Sequence, residues 1–66
     1  MKIQLTDYNP SGVSTFMIRS GPMTMWFEME SETGKPASVM PLVEPYATKA
    51  QTEARILLSQ RNRHKG

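Results

Sequence analysis

Residues 23–32 constrain the fold of this 66-residue chain most, because apolar and polar side chains alternate along them. Side chains on a β-strand point to opposite faces in turn, so this alternation predicts a strand with one buried face. The buried face would hold Met23, Met25, Phe27 and Met29. The opposite face, which should meet water, would hold Thr24, Trp26, Glu28 and Glu30.

Two earlier segments predict further strands. Residues 2–8 place Ile3 and Leu5 on one face, as in a half-buried strand. Residues 13–20 are apolar on both faces, which favours a central position in the sheet. The Asn-Pro-Ser-Gly sequence at 9–12 suits a type I turn, and the Gly-Pro pair at 21–22 ends the second strand.

The segment after the third strand leaves two structures open. A Glu-Thr-Gly-Lys turn signal at 32–35 precedes residues 37–43, which would return as a short fourth strand or run as an irregular connection. Pro41 lacks the N–H that a central strand needs, so such a strand would lie at the sheet edge.

The hydrophobic period changes after Pro45. Thr48, followed three residues later by Gln51, is typical of a capping box, and a helix is predicted over about residues 48–61. Its apolar face would consist of Ala50, Ala54, Leu57 and Leu58.

These elements predict an α+β fold. A small antiparallel sheet of three or four strands would carry one C-terminal amphipathic helix, packed on the methionine-rich face of the third strand. Residues 1–61 would form a single domain and residues 62–66 a basic tail. The chain has no cysteine, so packing or a partner must hold this small domain together.

The charge distribution is uneven. Residues 1–45 carry three Lys or Arg against five Asp or Glu, whereas residues 46–66 carry five against one. An acidic body with a basic end favours association with charged partners. The sequence contains no apolar run of membrane-spanning length and no apolar core of a secretory signal, so we expect a cytoplasmic protein that does not bind membranes.

We expect no enzymatic activity, catalytic residue, metal site or cofactor. The only histidine, His64, lies in a segment without apolar residues to orient it as a general base. Glu28, Glu30 and Glu32 have the spacing of a cation site or an acid–base pair, but a domain of this size offers an open sheet face rather than a cleft. Six methionines suit a soft metal, yet packing of the helix on the third strand accounts for most of them.

We expect a protein partner to bind the surface formed by Trp26, Glu28 and Glu30. An exposed tryptophan with charged neighbours is typical of an interface hot spot, in which a large ring anchors the partner and the charges form a rim. In the alternative, the N-terminal region or the region of Met40 folds over Trp26, which then belongs to a core.

A second candidate surface is the basic end of the predicted helix. Its cations have the charge to contact nucleic-acid phosphates with a salt-dependent affinity, although a short basic tail also simply favours solubility. They are Arg55, Arg61, Arg63 and Lys65.

The order of elements also resembles a known family. Antiparallel strands followed by a helix that begins near Thr-Lys-Ala-Gln-Thr-Glu-Ala resemble the arm-type DNA-binding domains at the N-terminus of phage integrases, over roughly residues 13–58. The resemblance implies a sheet that enters the major groove. That family directs basic side chains from the sheet to DNA, whereas the corresponding strand here presents Glu28 and Glu30. We assign no residue as a base reader.

The sequence therefore predicts a small non-enzymatic protein-binding module. By analogy of size, it would serve as the kind of inhibitor or adaptor that phages and mobile elements direct at host protein complexes. One alternative is nucleic-acid binding through the basic helix end. Another is a homodimer in which a second copy covers an unprotected sheet edge.

Overall fold

A three-stranded antiparallel sheet and one helix make up the computed structural model, which describes residues 1–63. The strands are β1 (Lys2–Asp7), β2 (Val13–Ser20) and β3 (Met23–Glu30), and the helix is α1 (Tyr46–Arg63). The strand order is β1-β2-β3, and α1 packs on one face of the sheet, closest to β1. The predicted α+β fold is confirmed, with β2 central. Between residues 1 and 63 there is no helix with the length and apolarity to span a bilayer.

Both predicted strand connections are tight turns. At residues 9–12 the Gly12 N–H donates to the Asn9 carbonyl at 3.2 Å, which closes the expected β-turn. Between β2 and β3, Ser20 pairs with Met23, so Gly21 and Pro22 are the two central residues of the hairpin. Gly21 has a φ of 60°, as the first central position of a type II′ turn requires.

Residues 37–43 do not form the fourth strand. β3 ends at Glu30, two residues earlier than predicted, and the chain then turns and touches β3 through a single bridge between Met29 and Pro36. The Ala37 N–H still donates to the Glu28 carbonyl at 2.9 Å. Pro36 and Pro41 have no N–H to extend the ladder, so residues 37–43 run as an irregular connection.

The core lies between the sheet and α1. It contains seven buried apolar residues, Phe16, Ile18, Phe27, Met29, Ala50, Ala54 and Leu58. The rings of Phe16 and Phe27 stack across β2 and β3, with centroids 5.2 Å apart. The small side chains on the first turns of α1 allow the helix to approach the sheet closely.

The methionine-rich face of β3 is covered only in part. Phe27 and Met29 are buried, as predicted, whereas Met25 is only half-buried. Met23, by contrast, is 58% exposed. It pairs with Ser20 at the hairpin end of β3, whereas the backbone of α1 runs closest to β1.

The predicted capping box is wrong. α1 begins at Tyr46, so Thr48 lies inside the first turn rather than before it. The carboxylate of Glu44 accepts hydrogen bonds from the Thr48 hydroxyl at 2.6 Å and from its backbone N–H at 2.8 Å. A negative charge at a helix N-terminus is favourable, and these bonds hold the pKa of the Glu44 carboxyl below its ordinary value.

Contacts at the other end extend α1 two residues beyond its predicted end. The Tyr8 hydroxyl donates to Asn62 Oδ1, and Asn62 Nδ2 donates to the Ser31 carbonyl at 3.2 Å. The guanidinium of Arg61 lies over the Tyr8 ring, 4.8 Å from its centroid. The last turn of α1 is thereby joined to both sheet turns at that end, so the first residues of the predicted tail are helical.

Candidate functional site

Trp26 lies on the face of the sheet opposite α1, which we call the open face. It pairs with Met17 of β2, and Met17 pairs with Gln4 of β1, so these side chains form one row across the sheet. Trp26 is 53% exposed and Met17 is half-buried. Met40 packs against the core on the other face instead of over Trp26. The alternative that Trp26 belongs to a core is therefore wrong.

Acidic side chains occupy one end of the open face. Glu28 pairs with Thr15, and Thr15 also pairs with Asp7 of β1, so carboxylates lie on both sides of the central strand. Glu30 pairs with Val13 in the next row. A register shift between Leu5 and Asp7 brings Asp7 into this arrangement.

The chain after β3 holds the acidic end in place. The Glu28 N–H donates to Ser38 Oγ at 2.8 Å, and the Glu30 N–H donates to the Lys35 carbonyl at 2.8 Å. The Thr33 hydroxyl donates to the Glu30 carboxylate at 2.7 Å. Gly34, with a φ of 73°, makes the intervening turn, and its N–H donates to the Glu30 carbonyl at 2.9 Å. These bonds fix the backbone from which both carboxylates project.

Glu32 does not join this group. It lies in the turn after β3, so the expected row of three carboxylates at alternate strand positions consists of Glu28 and Glu30 only. Between residues 1 and 63, no three His, Cys, Asp or Glu residues are grouped so as to hold a metal ion.

Two cations occupy the opposite end of the open face. Lys2 of β1 pairs with Arg19 of β2, and Arg19 pairs with Thr24 of β3. The row of Gln4, Met17 and Trp26 therefore separates a basic end from an acidic end. The face combines an exposed aromatic ring with charges of both signs.

The predicted basic surface of α1 is divided. The Nε–H of Arg55 donates to the Gly34 carbonyl at 3.1 Å, and Arg55 and Arg63 line the same shallow clefts. Arg61 faces the other way, over the Tyr8 ring. The structure thus brings two of these arginines together and separates the third. Lys65 and His64 lie outside the described residues.

Sequence reasoning did not select Met17, Lys2 or Arg19 as site residues. The signal for Met17 was present, because β2 carries apolar side chains on both of its faces. The neighbours of Trp26 follow only from the register, which places Met17 opposite Trp26 and Arg19 opposite Thr24.

Comparison with protein-family models, with curated proteins and with solved structures finds no match to this chain.

Proposed function

We propose that the chain is a non-enzymatic protein-binding module and that the open face captures the partner. The observation that carries this proposal is Trp26, which is 53% exposed in the middle row of the open face while the core forms on the other side of the sheet. Transfer of an exposed aromatic ring into an interface removes a large apolar area from water at a small cost in side-chain entropy.

The charges around Trp26 indicate the chemistry of the partner surface. Glu28 and Glu30 favour Lys or Arg near one end of the contact, and Lys2 with Arg19 favours Asp or Glu near the other. Such a polar rim orients the partner, while Trp26 and Met17 supply the apolar centre. We further propose that the module acts in the cytoplasm, as an inhibitor or adaptor of a larger complex.

Nucleic-acid binding through the basic end of α1 stays a prediction. Arg55 and Arg61 are engaged by Gly34 and Tyr8 on different sides of the helix. Phosphate binding by a single row of cations would need both side chains to turn to one side.

The test compares capture of proteins from an extract of the source cells by immobilised variants. We expect wild-type protein to retain a partner that Trp26→Ala and the pair Glu28→Lys, Glu30→Lys both lose. Tyr46→Ala is the matched control, because Tyr46 is an aromatic residue with the same 53% exposure but lies at the start of α1. Equal retention by Trp26→Ala and wild type would contradict the proposal.

A titration of labelled duplex DNA tests the alternative. Tight binding that weakens steeply with salt and is lost on replacing Arg55, Arg61 and Arg63 would favour the nucleic-acid function instead.

A further inference from the structure

The two edges of the sheet are protected differently. Residues 35–38 bond to the backbone of Glu28 and Glu30 and so cover one end of the β3 edge. The β1 edge pairs with no strand in the described part of the chain. An uncovered strand edge presents N–H and C=O groups that accept an added strand.

The register shows which backbone groups form the free edge. Glu28 and Glu30 direct their N–H and C=O groups away from β2, and these directions alternate along antiparallel strands. The odd-numbered residues of β2 therefore direct their backbone groups toward β1. Among them, Arg19 and Met17 bond to Lys2 and Gln4. Ile3 and Leu5 therefore direct their backbone groups outward.

A groove runs between this edge and α1. One half is lined by Lys2, Ile3, Lys49 and Glu53, and the other half by Ile3, Leu5, Leu57 and Arg61. Ile3 contributes to both halves, so the two halves adjoin along β1. Its apolar side chains are only half-buried. The groove thus offers partly exposed apolar surface beside free backbone donors and acceptors.

The charge of the groove identifies the occupant. Among residues 1–63, the groove is lined by three cations, Lys2, Lys49 and Arg61, and by one carboxylate, that of Glu53, so it attracts an acidic segment. A second copy of this chain would bring an equally cationic groove against the first, which disfavours self-association through β1.

We propose that this groove binds an extended acidic segment of a protein partner, which adds to β1 as a fourth strand. The backbone groups of Ile3 and Leu5 bond to the segment, its apolar side chains contact Ile3, Leu5 and Leu57, and its carboxylates lie near Lys49 and Arg61. This surface lies at the edge of the sheet and does not include Trp26, although it shares Lys2 with the basic end of the open face.

The probe is a mixture of labelled, N-acetylated hexapeptides in which glutamate alternates with Val, Ile, Leu or Phe. The control mixture carries lysine in place of glutamate. We expect the acidic mixture to bind, to shift the amide resonances of Ile3 and Leu5, and to bind Lys49→Glu about three- to ten-fold more weakly. Lys35→Glu, an equal charge change beside β3, should leave the affinity unchanged.

A chemically synthesised chain tests the backbone contact. Methylation of the Leu5 backbone nitrogen removes an outward donor without touching a bond to β2, and we expect it to abolish peptide binding. Methylation of the Trp26 backbone nitrogen, which faces outward at the other edge, is the matched control and should have no effect. Trp26→Ala should also bind the acidic mixture normally. Failure of the open-face proposal can therefore be distinguished from failure of the groove proposal.

Four outcomes would overturn the inference. They are absence of acidic-peptide binding at millimolar concentration, equal binding of the lysine mixture, resonance shifts centred on the open face, and concentration-dependent dimerisation through β1 without any peptide.

Discussion

The inner and open faces of the sheet are built from the same strands but bury their apolar side chains to different extents. On the inner face Phe16 and Phe27 are fully enclosed under α1 and the chain around Met40. On the open face Met17 and Trp26 occupy adjoining positions on the same strands and stay in contact with water. The core forms on the inner face, so the apolar centre of the open face lies outside it and is available for another role.

The largest expected effect is a difference in stability between alanine variants of two adjacent residues of β2. Phe16→Ala removes a stacked, buried ring and is expected to cost about 3–5 kcal/mol of unfolding free energy, comparable to the whole stability of a small domain. Met17→Ala, on the open face, should cost about 1 kcal/mol or less. Urea unfolding followed by circular dichroism measures both. Similar losses would contradict the distinction between the faces.

A smaller effect concerns the turn that fixes the acidic end of the open face. Gly34→Ala should destabilise by about 1–2 kcal/mol, because φ is 73° and a Cβ there would lie 3.1 Å from Cγ of Arg55.

Gly21→Ala is the control for Gly34→Ala, since its φ is 60° but, among residues 1–63 other than its two chain neighbours, no heavy atom lies within 4 Å of the added Cβ. We expect it to cost about 1 kcal/mol, from backbone conformation alone. Thermal unfolding of the two variants measures the difference in stability. A larger loss of stability in Gly21→Ala than in Gly34→Ala would show that the Arg55 side chain does not restrict the turn at Gly34.

The smallest effect is a pH dependence at the start of α1, the helix that covers the inner face. The pKa of Glu44 is lowered from its ordinary value of 4.5 by the hydrogen bonds from Thr48. A lowered folded-state pKa adds stability above that ordinary value and loses it as pH falls through the folded-state pKa.

Unfolding midpoints of wild type and Glu44→Gln should therefore differ near neutral pH and converge as the solution is acidified below the folded-state pKa. A difference that persists unchanged in acid would show that the Glu44 charge does not stabilise the helix start.

Most of the fold could be predicted from local pattern. Alternation along residues 23–30 fixes which side chains share a face, and Gly21 and Gly34 lie where the chain turns. The same alternation also predicted the face on which Trp26 lies. It did not predict the exposure of Trp26, because that depended on where Met40 packs, and Met40 packs against the inner core.

The features that were missed depend on contacts between distant parts of the chain. Tyr8 and Asn62 are 54 residues apart, and their hydrogen bond explains why α1 continues into the predicted tail. The capping role of Glu44 depends on the path of the preceding loop, which has no periodic pattern. The grouping of Lys2 with Arg19 depends on the strand register.

The most direct test of the account measures stability and partner capture on the same preparation of Trp26→Ala. We predict an unfolding free energy within about 1 kcal/mol of wild type, because the ring is largely outside the core, together with loss of the captured partner. A loss of about 3 kcal/mol or more would show that Trp26 acts as a core residue. Full retention of the partner would show that the open face is not the binding surface.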